Sequence, residues 1–178
     1  MKFKISILFL VLAGTFVYFV FKGNYFSVNQ KVVVGNEAPS SETIFNMFYK
    51  ADLRDYLGNK VSIDKNDVHG QQDVIIHLWA SWCGPCVNEV PELIEYSKKN
   101  PDVKFIIVSL DEYQDDIAKF MKSFPDFNSG NYTKIWDGPK TLSNFFNADR
   151  LPMSLILKKN KSEPQIVKSV VDWKNLKL

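Results

Sequence analysis

The chain is 178 residues long, 46% hydrophobic and 24% charged, which is one globular domain plus a short extension. That composition excludes a disordered tail, a collagen-like repeat and a disulfide-dense miniprotein, and its two cysteines have no structural duty in a core of this size. The formal charge of +2 comes from residues 1–22, which hold Lys2, Lys4 and Lys22 and no acid. Without those lysines 19 basic residues face 20 acidic ones, so nucleic acid is a poor candidate partner.

Residues 5–21 read ISILFLVLAGTFVYFVF, with Ser6, Gly14 and Thr15 as the only weakly polar members. As a helix they reach about 25 Å, slightly under a hydrocarbon core of roughly 30 Å. Lys4 and Lys22 flank the run and can snorkel to cover the difference. Residues 1–22 are therefore expected to be an uncleaved N-terminal membrane anchor, a transmembrane helix. The α-amino group, Lys2 and Lys4 outweigh Lys22, which keeps the N-terminus in the cytoplasm and puts the rest outside. Residues 23–34 read as a tether, and residues 35–178 as the domain.

In that domain 44–50 (IFNMFYK) and 60–63 (KVSI) are short strand candidates around Leu57-Gly58-Asn59. Residues 73–79 (DVIIHLW) form an apolar run suited to a strand buried on both faces. A helix is predicted over 85–99, with Pro85 in its first turn, Lys98 and Lys99 at its negative end and Asn100-Pro101 as its stop. Residues 103–110 (VKFIIVSL) form a second central strand. Asp111 is a candidate cap for the next helix, with Gln114 as its capping-box partner; Ile117, Phe120, Met121 and Phe124 are its apolar stripe. A turn-rich stretch over 125–134 leads to a short strand at 134–136 and a helix at 141–147. Strands at 153–158 and 165–171 follow, joined as a hairpin by KNKSEP. The order βαβα followed by ββ predicts an α/β domain with a central, largely parallel sheet between helices.

The chemistry sits at Trp82-Cys83-Gly84-Pro85-Cys86, where strand 73–79 gives way to the helix. Cys83 lies at the helix N-terminus, where unpaired N–H groups and the dipole favour thiolate. Two intervening residues return Cys86 to bonding distance. Cys83 can then attack a disulfide and Cys86 can resolve the mixed disulfide. A zinc site would need two more ligands, and only His69 and His77 are on offer. A bridge closing two residues removes little chain entropy, which disfavours a purely structural disulfide. The pattern points to a redox-active pair and calls for no metal and no cofactor.

WCGPC after an apolar strand resembles the thioredoxin active site. LWASWCGPCVNEVPEL is similar to membrane-anchored TlpA/ResA-type thiol–disulfide oxidoreductases, in which the segment typically reads FWATWCxPCxxExPxL. Gly35-Asn36-Glu37-Ala38-Pro39 resembles that family's opening G-x-x-A-P. Gly58 with Val61-Ser62-Ile63 resembles its next strand, and Arg150-Leu151-Pro152-Met153-Ser154 resembles its cis-proline loop. The resemblance implies a thioredoxin-like fold, a central mixed sheet flanked by helices, over residues 31–171.

It also implies site roles. Glu89 matches an acid that shuttles protons for the cysteines; as a plain residue it reads as a first-turn helix carboxylate. Pro91 matches the proline that bends this helix. His77 stands where thioredoxins have a buried Asp and the TlpA/ResA type often has Asn. It is either a proton handler or a hydrogen-bonded core histidine. Leu151 and Pro152 match the substrate ledge, with a cis bond between them. Trp82 flanks the nucleophile, Gly84 and Pro85 shape the turn, and Trp79 belongs to the core. After Val171 only DWKNLKL remains where thioredoxin folds close with a helix. The sheet face is then either covered another way or left for a partner.

The functional expectation is an extracytoplasmic, membrane-tethered oxidoreductase that reduces protein disulfides. By resemblance, apocytochrome c is a substrate in cytochrome c maturation, and a transmembrane dithiol carrier is the electron donor. The alternative is a copper-binding chaperone using Cys83, Cys86 and His77, since soft thiolates suit Cu(I).

Overall fold

The apolar run at 73–79 becomes β1 (Val74–Trp79), buried along its full length. It lies at the centre of a five-stranded sheet. The computed structural model describes residues 39–63 and 72–178, all within one compact unit, Glu37–Leu178. The expected anchor, the tether, residues 35–38 of the opening motif and His69 lie outside the described residues.

On one side β1 pairs in parallel with β2 (Lys104–Ser109), which pairs in parallel with β3 (Tyr132–Trp136). On the other side it pairs antiparallel with β4 (Met153–Leu157), which pairs antiparallel with β5 (Gln165–Val167). Two of the four pairings are thus antiparallel, so the sheet is mixed rather than largely parallel. The tight return between β4 and β5, which no crossover helix interrupts, accounts for one of them; in the other, β4 enters the sheet running against β1. The last strand is shorter than the 165–171 expected: after Val167 the chain leaves the sheet.

Residues on β1 alternate between two cores. Ile75 and Trp79 face one cluster with Phe105, Ile107, Val90 and Leu93. Val74, Ile76 and Leu78 face the other, with Ile44, Phe45, Phe48 and Leu142. The second cluster includes a correction, because residues 44–50 lie in a helix, α1 (Ser41–Lys50), and not in a strand. Ser40 caps it, with Oγ accepting from the Thr43 N–H, and Ile44, Phe45 and Phe48 form its buried stripe. Residues 60–63 form no strand either; Lys60 makes only an isolated bridge to Arg54. Gly58 lies between them at φ 84°, in the left-handed region that glycine enters freely.

The redox helix is α2 (Gly84–Lys99), with Pro85 in its first turn, Pro91 inside it and Lys98 and Lys99 in its last turn. The next helix, α3 (Gln114–Ser123), begins after Tyr113 and has no side-chain cap. Asp111 is not its cap, because that carboxylate is committed to Ser81 and Ser109. Within the turn-rich stretch Pro125 opens a short helix, α4 (Pro125–Ser129). A further short helix, α5 (Thr141–Phe145), precedes β4. Asp137 holds its start by accepting from the Leu142 and Ser143 N–H groups at 3.0 and 2.7 Å.

The C-terminal residues answer the question of the uncovered sheet face. No closing helix forms, yet Val171 and Trp173 are buried. The Trp173 indole packs against His77, Tyr96 and Phe105, with centroids 5.9, 5.5 and 6.4 Å away. Leu176 and Leu178 pack against the same cluster. An irregular strap over residues 168–178 thus does the covering, with one large aromatic as its plug.

Candidate active site

Cys83 is the N-cap of α2, and its Sγ lies 3.3 Å from the Cys86 N–H. The two cysteines are bridged, with Cα atoms 5.2 Å apart. Their exposures differ in a way the chemistry uses. Cys86 is wholly buried, whereas Cys83 retains 6% exposure and lines the site's groove. Only Cys83 is placed to meet a target disulfide. The first turn of α2 carries no acid, so nothing there opposes a thiolate.

The loop before the motif is braced from below. Asp111, itself buried, accepts from the Ser81 N–H, from Ser81 Oγ at 2.6 Å and from Ser109 Oγ at 2.6 Å. This fixes the chain on which Trp82 projects. Trp82 is 69% exposed, so it belongs to the rim of the site. Trp79 is core, tilted against Phe120 and edge-on to Phe127.

Beside Cys83 opens a groove of about 810 Å³. Trp82, Cys83, Gly84 and Pro85 form one wall; Lys140, Asn144, Arg150 and Leu151 contribute to the other. The Leu151–Pro152 peptide is cis. Leu151 lines the groove, while Pro152 is buried behind it. Of the groove's charged groups, Asp149 is paired with Lys168 at 2.7 Å. Lys140 and Arg150 are exposed beside it, with Arg150 Nε 4.0 Å from the same Asp149 carboxylate.

His77 and Glu89 meet beneath the cysteines. The register pairs His77 with Ser154 across β1 and β4, and Nδ1 lies 2.9 Å from Ser154 Oγ. Nε2 lies 3.5 Å from Glu89 Oε1. Both side chains are almost wholly buried. Glu89 is therefore not an exposed first-turn carboxylate: it sits in the second turn of α2, one turn past Cys86, on the inner face.

Burial lowers the His77 pKa from 6.5 to about 3, so the imidazole is neutral at ordinary pH. Burial also raises the Glu89 carboxyl; the Val171 N–H and the Trp173 indole oppose that rise, and the nearby Glu92 charge adds to it. Both of these donors go to Oε2, at 3.1 and 2.9 Å. Oε1 has no hydrogen-bond partner. A proton on Glu89 therefore belongs on Oε1, facing His77 Nε2. One proton can occupy that gap, on either atom, and Ser154 can donate to Nδ1 or accept from it.

Sequence reasoning named His77 and Glu89 but not the contact between them. It read Asp111 as a helix cap and Ser154 only as part of the cis-proline loop, and it gave Trp173 no role at the site. The sole signal for Trp173 was its being the single aromatic residue after Val171. Among the described residues no three His, Cys, Asp or Glu side chains gather as metal donors. His77 turns its ring nitrogens to Ser154 and Glu89, so nothing in the geometry favours the copper reading.

Comparison with known proteins agrees with this geometry. A family model described as thioredoxin-like matches residues 71–163. The thiol-disulfide oxidoreductase ResA of Bacillus thuringiensis (strain Al Hakam) is 27% identical over 154 residues, covering 86% of this chain and 80% of that protein. ResA of Bacillus cereus (strain ATCC 10987 / NRS 248) is 32% identical over 120 residues, covering 66% of this chain and 61% of that protein. Among solved structures, a secreted Mycobacterium tuberculosis disulfide oxidoreductase superposes with a TM-score of 0.60 at 16% identity, covering 72% of this chain and 92% of that one. StoA from Bacillus subtilis superposes with a TM-score of 0.54 at 22% identity, covering 70% and 90%; these two likenesses speak to the fold. With a CxxC pair at a helix N-terminus and ResA-type relatives, the chain belongs to the thioredoxin-like family and is a thiol–disulfide oxidoreductase.

Proposed function

We propose that the protein is a membrane-tethered reductant of protein disulfides that works outside the cytoplasm. The observation that carries the exchange chemistry is the unequal burial of the two sulfurs, with Cys83 on the groove and Cys86 enclosed behind it. In the reducing direction the Cys83 thiolate attacks one sulfur of a target disulfide. The target S–S bond breaks, and the leaving thiolate takes a proton. Cys86 then gives up its proton, attacks Cys83 Sγ and releases the second target thiol. Two electrons and two protons pass to the target, and the Cys83–Cys86 disulfide remains.

The buried proton of Cys86 needs a carrier that itself stays dry. Glu89, one turn away with His77 at its back, is the proposed carrier, because its unpartnered Oε1 can take or give a proton. Leu151 on the groove wall, with the cis bond to Pro152 behind it, is the proposed ledge for an extended target segment. Gly-Pro between the cysteines resembles the reducing thioredoxins and supports the reductive direction.

The tether rests on the apolar run of residues 5–21 and its flanking lysines. No helix among the described residues is long and apolar enough to cross a membrane. Outside the cytoplasm the protein would be re-reduced by a transmembrane dithiol carrier; the disulfide of oxidised apocytochrome c is the proposed substrate, in cytochrome c maturation. The test is trapping in intact cells with Cys86→Ser. Mixed disulfides through Cys83 to extracytoplasmic proteins support the reading. Partners confined to the cytoplasm overturn the location, and finding apocytochrome c absent among extracytoplasmic partners overturns that substrate.

A further inference from the structure

We infer that the C-terminal strap is a positioning element of the active site: Val171 and Trp173 clamp Glu89 by Oε2, which leaves Oε1 as the one oxygen able to exchange a proton with His77. Trp173 is thus a positioning residue, acting through Glu89.

A sheet-covering residue need only be large and apolar, and Phe or Leu would serve. Trp173 does more, because its indole Nε1 donates to Glu89 Oε2 at 2.9 Å. The Val171 backbone N–H donates to the same oxygen at 3.1 Å. Two donors on one oxygen and none on the other make the carboxyl asymmetric. Oε2 is spent as an acceptor, and Oε1, 3.5 Å from His77 Nε2, is the only place for a proton. The indole also stands edge-on to the His77 ring, 5.9 Å between centroids, so one side chain orients both members of the pair.

The strap is anchored close by. Lys174 pairs with Glu92 on α2 at 2.8 Å, and Lys158 Nζ donates to the Lys177 carbonyl at 3.2 Å. The charged and titratable groups around Glu89 are His77 from β1, Glu92 from α2 and Lys174 from the strap; Cys86, held in the disulfide, does not titrate. The Glu92 charge opposes ionisation of Glu89, and Lys174 offsets Glu92. Hydrogen bonds to an ionised carboxyl favour the charged form. Loss of the indole donor therefore moves ionisation of Glu89 to higher pH.

The test is a titration of the Glu89 carboxyl carbon by carbon-13 NMR. It uses the full-length disulfide form in detergent micelles, with the resonance assigned through Glu89→Gln. No turnover is involved, so its outcome is independent of whether the exchange reading holds. Trp173→Phe is expected to raise the midpoint by about one pH unit, a tenfold change in the ionisation ratio. Leu176→Ala, which loosens the strap without touching Glu89, is expected to leave it within about 0.3 unit, well below that tenfold effect. Where the Phe variant fails to fold, benzothienylalanine at 173 keeps the ring shape and removes only the N–H. An unshifted midpoint in the donor-less protein, or an equal shift in Leu176→Ala, overturns the inference.

Discussion

Burial of His77 makes a quantitative prediction about stability against pH. The group has a pKa of 6.5 when free and about 3 in the folded protein, lowered by desolvation. Below about pH 6.5 the unfolded chain takes up a proton that the folded chain refuses until about pH 3. Folding stability is thus fully present above the free pKa, and it is lost as pH falls from about 6.5 toward about 3. The ratio of the two binding polynomials gives close to zero loss at about pH 7.5 and about 2 kcal/mol at about pH 5. Glu89 titrates nearby, so the comparison belongs in the Glu89→Gln background, where only the histidine differs. Denaturant unfolding of the disulfide form is measured with and without His77→Asn at these two pH values. The protein that keeps His77 is expected to lose about 2 kcal/mol more between them than the His77→Asn protein. Equal losses would refute the claim that His77 is buried and neutral.

Three other substitutions probe separate parts of the fold and site. Trp173→Ala removes a fully buried ring and an indole donor; it should cost about 3–5 kcal/mol in denaturant unfolding, and a loss under about 1 kcal/mol would contradict the plug role. Asp111→Ala leaves the Ser81 N–H and two hydroxyls without their acceptor and should cost about 2–4 kcal/mol; a neutral effect would show that the brace under the CxxC loop carries no load. Charge reversal at Lys140 and Arg150 together should lower kcat/KM for a disulfide peptide with acidic flanks roughly fivefold relative to one with basic flanks. That preference should fade at high salt, and an unchanged ratio would place the docking segment away from the groove.

The readable parts of this fold were those whose cause is local. Residues 73–79 and 103–110 are too apolar and too short for anything but buried strands. Pro85 and Asn100-Pro101 bracket α2 in the sequence itself. Residues 41–50 show how composition misleads. Ile, Phe, Met and Tyr suggest a strand, yet Ile44, Phe45 and Phe48 keep helical spacing behind a Ser40 cap, and spacing decided the outcome. Asp111 looked like a cap because caps are read from neighbours in sequence; its actual partner Ser81 is 30 residues away.

The same limit applies at the site. The cysteines were legible because their spacing is their chemistry. The contact of Glu89 with Trp173 spans 84 residues, and the His77–Ser154 pairing depends on a strand register 77 residues apart. No local pattern encodes either one. The resemblance supplied Glu89 and Pro152 by position, but a departure such as His77 acquires a meaning only when its neighbours are visible.

The central claim is that Cys83 alone meets the target disulfide, with Cys86 resolving from behind. Its most direct measurement is mass spectrometry of the mixed disulfide formed with a disulfide-bonded peptide by Cys86→Ser and, separately, by Cys83→Ser. The account predicts a stable adduct on Cys83 in the first protein and none in the second. Adducts of similar yield on Cys86 in the Cys83→Ser protein would contradict it.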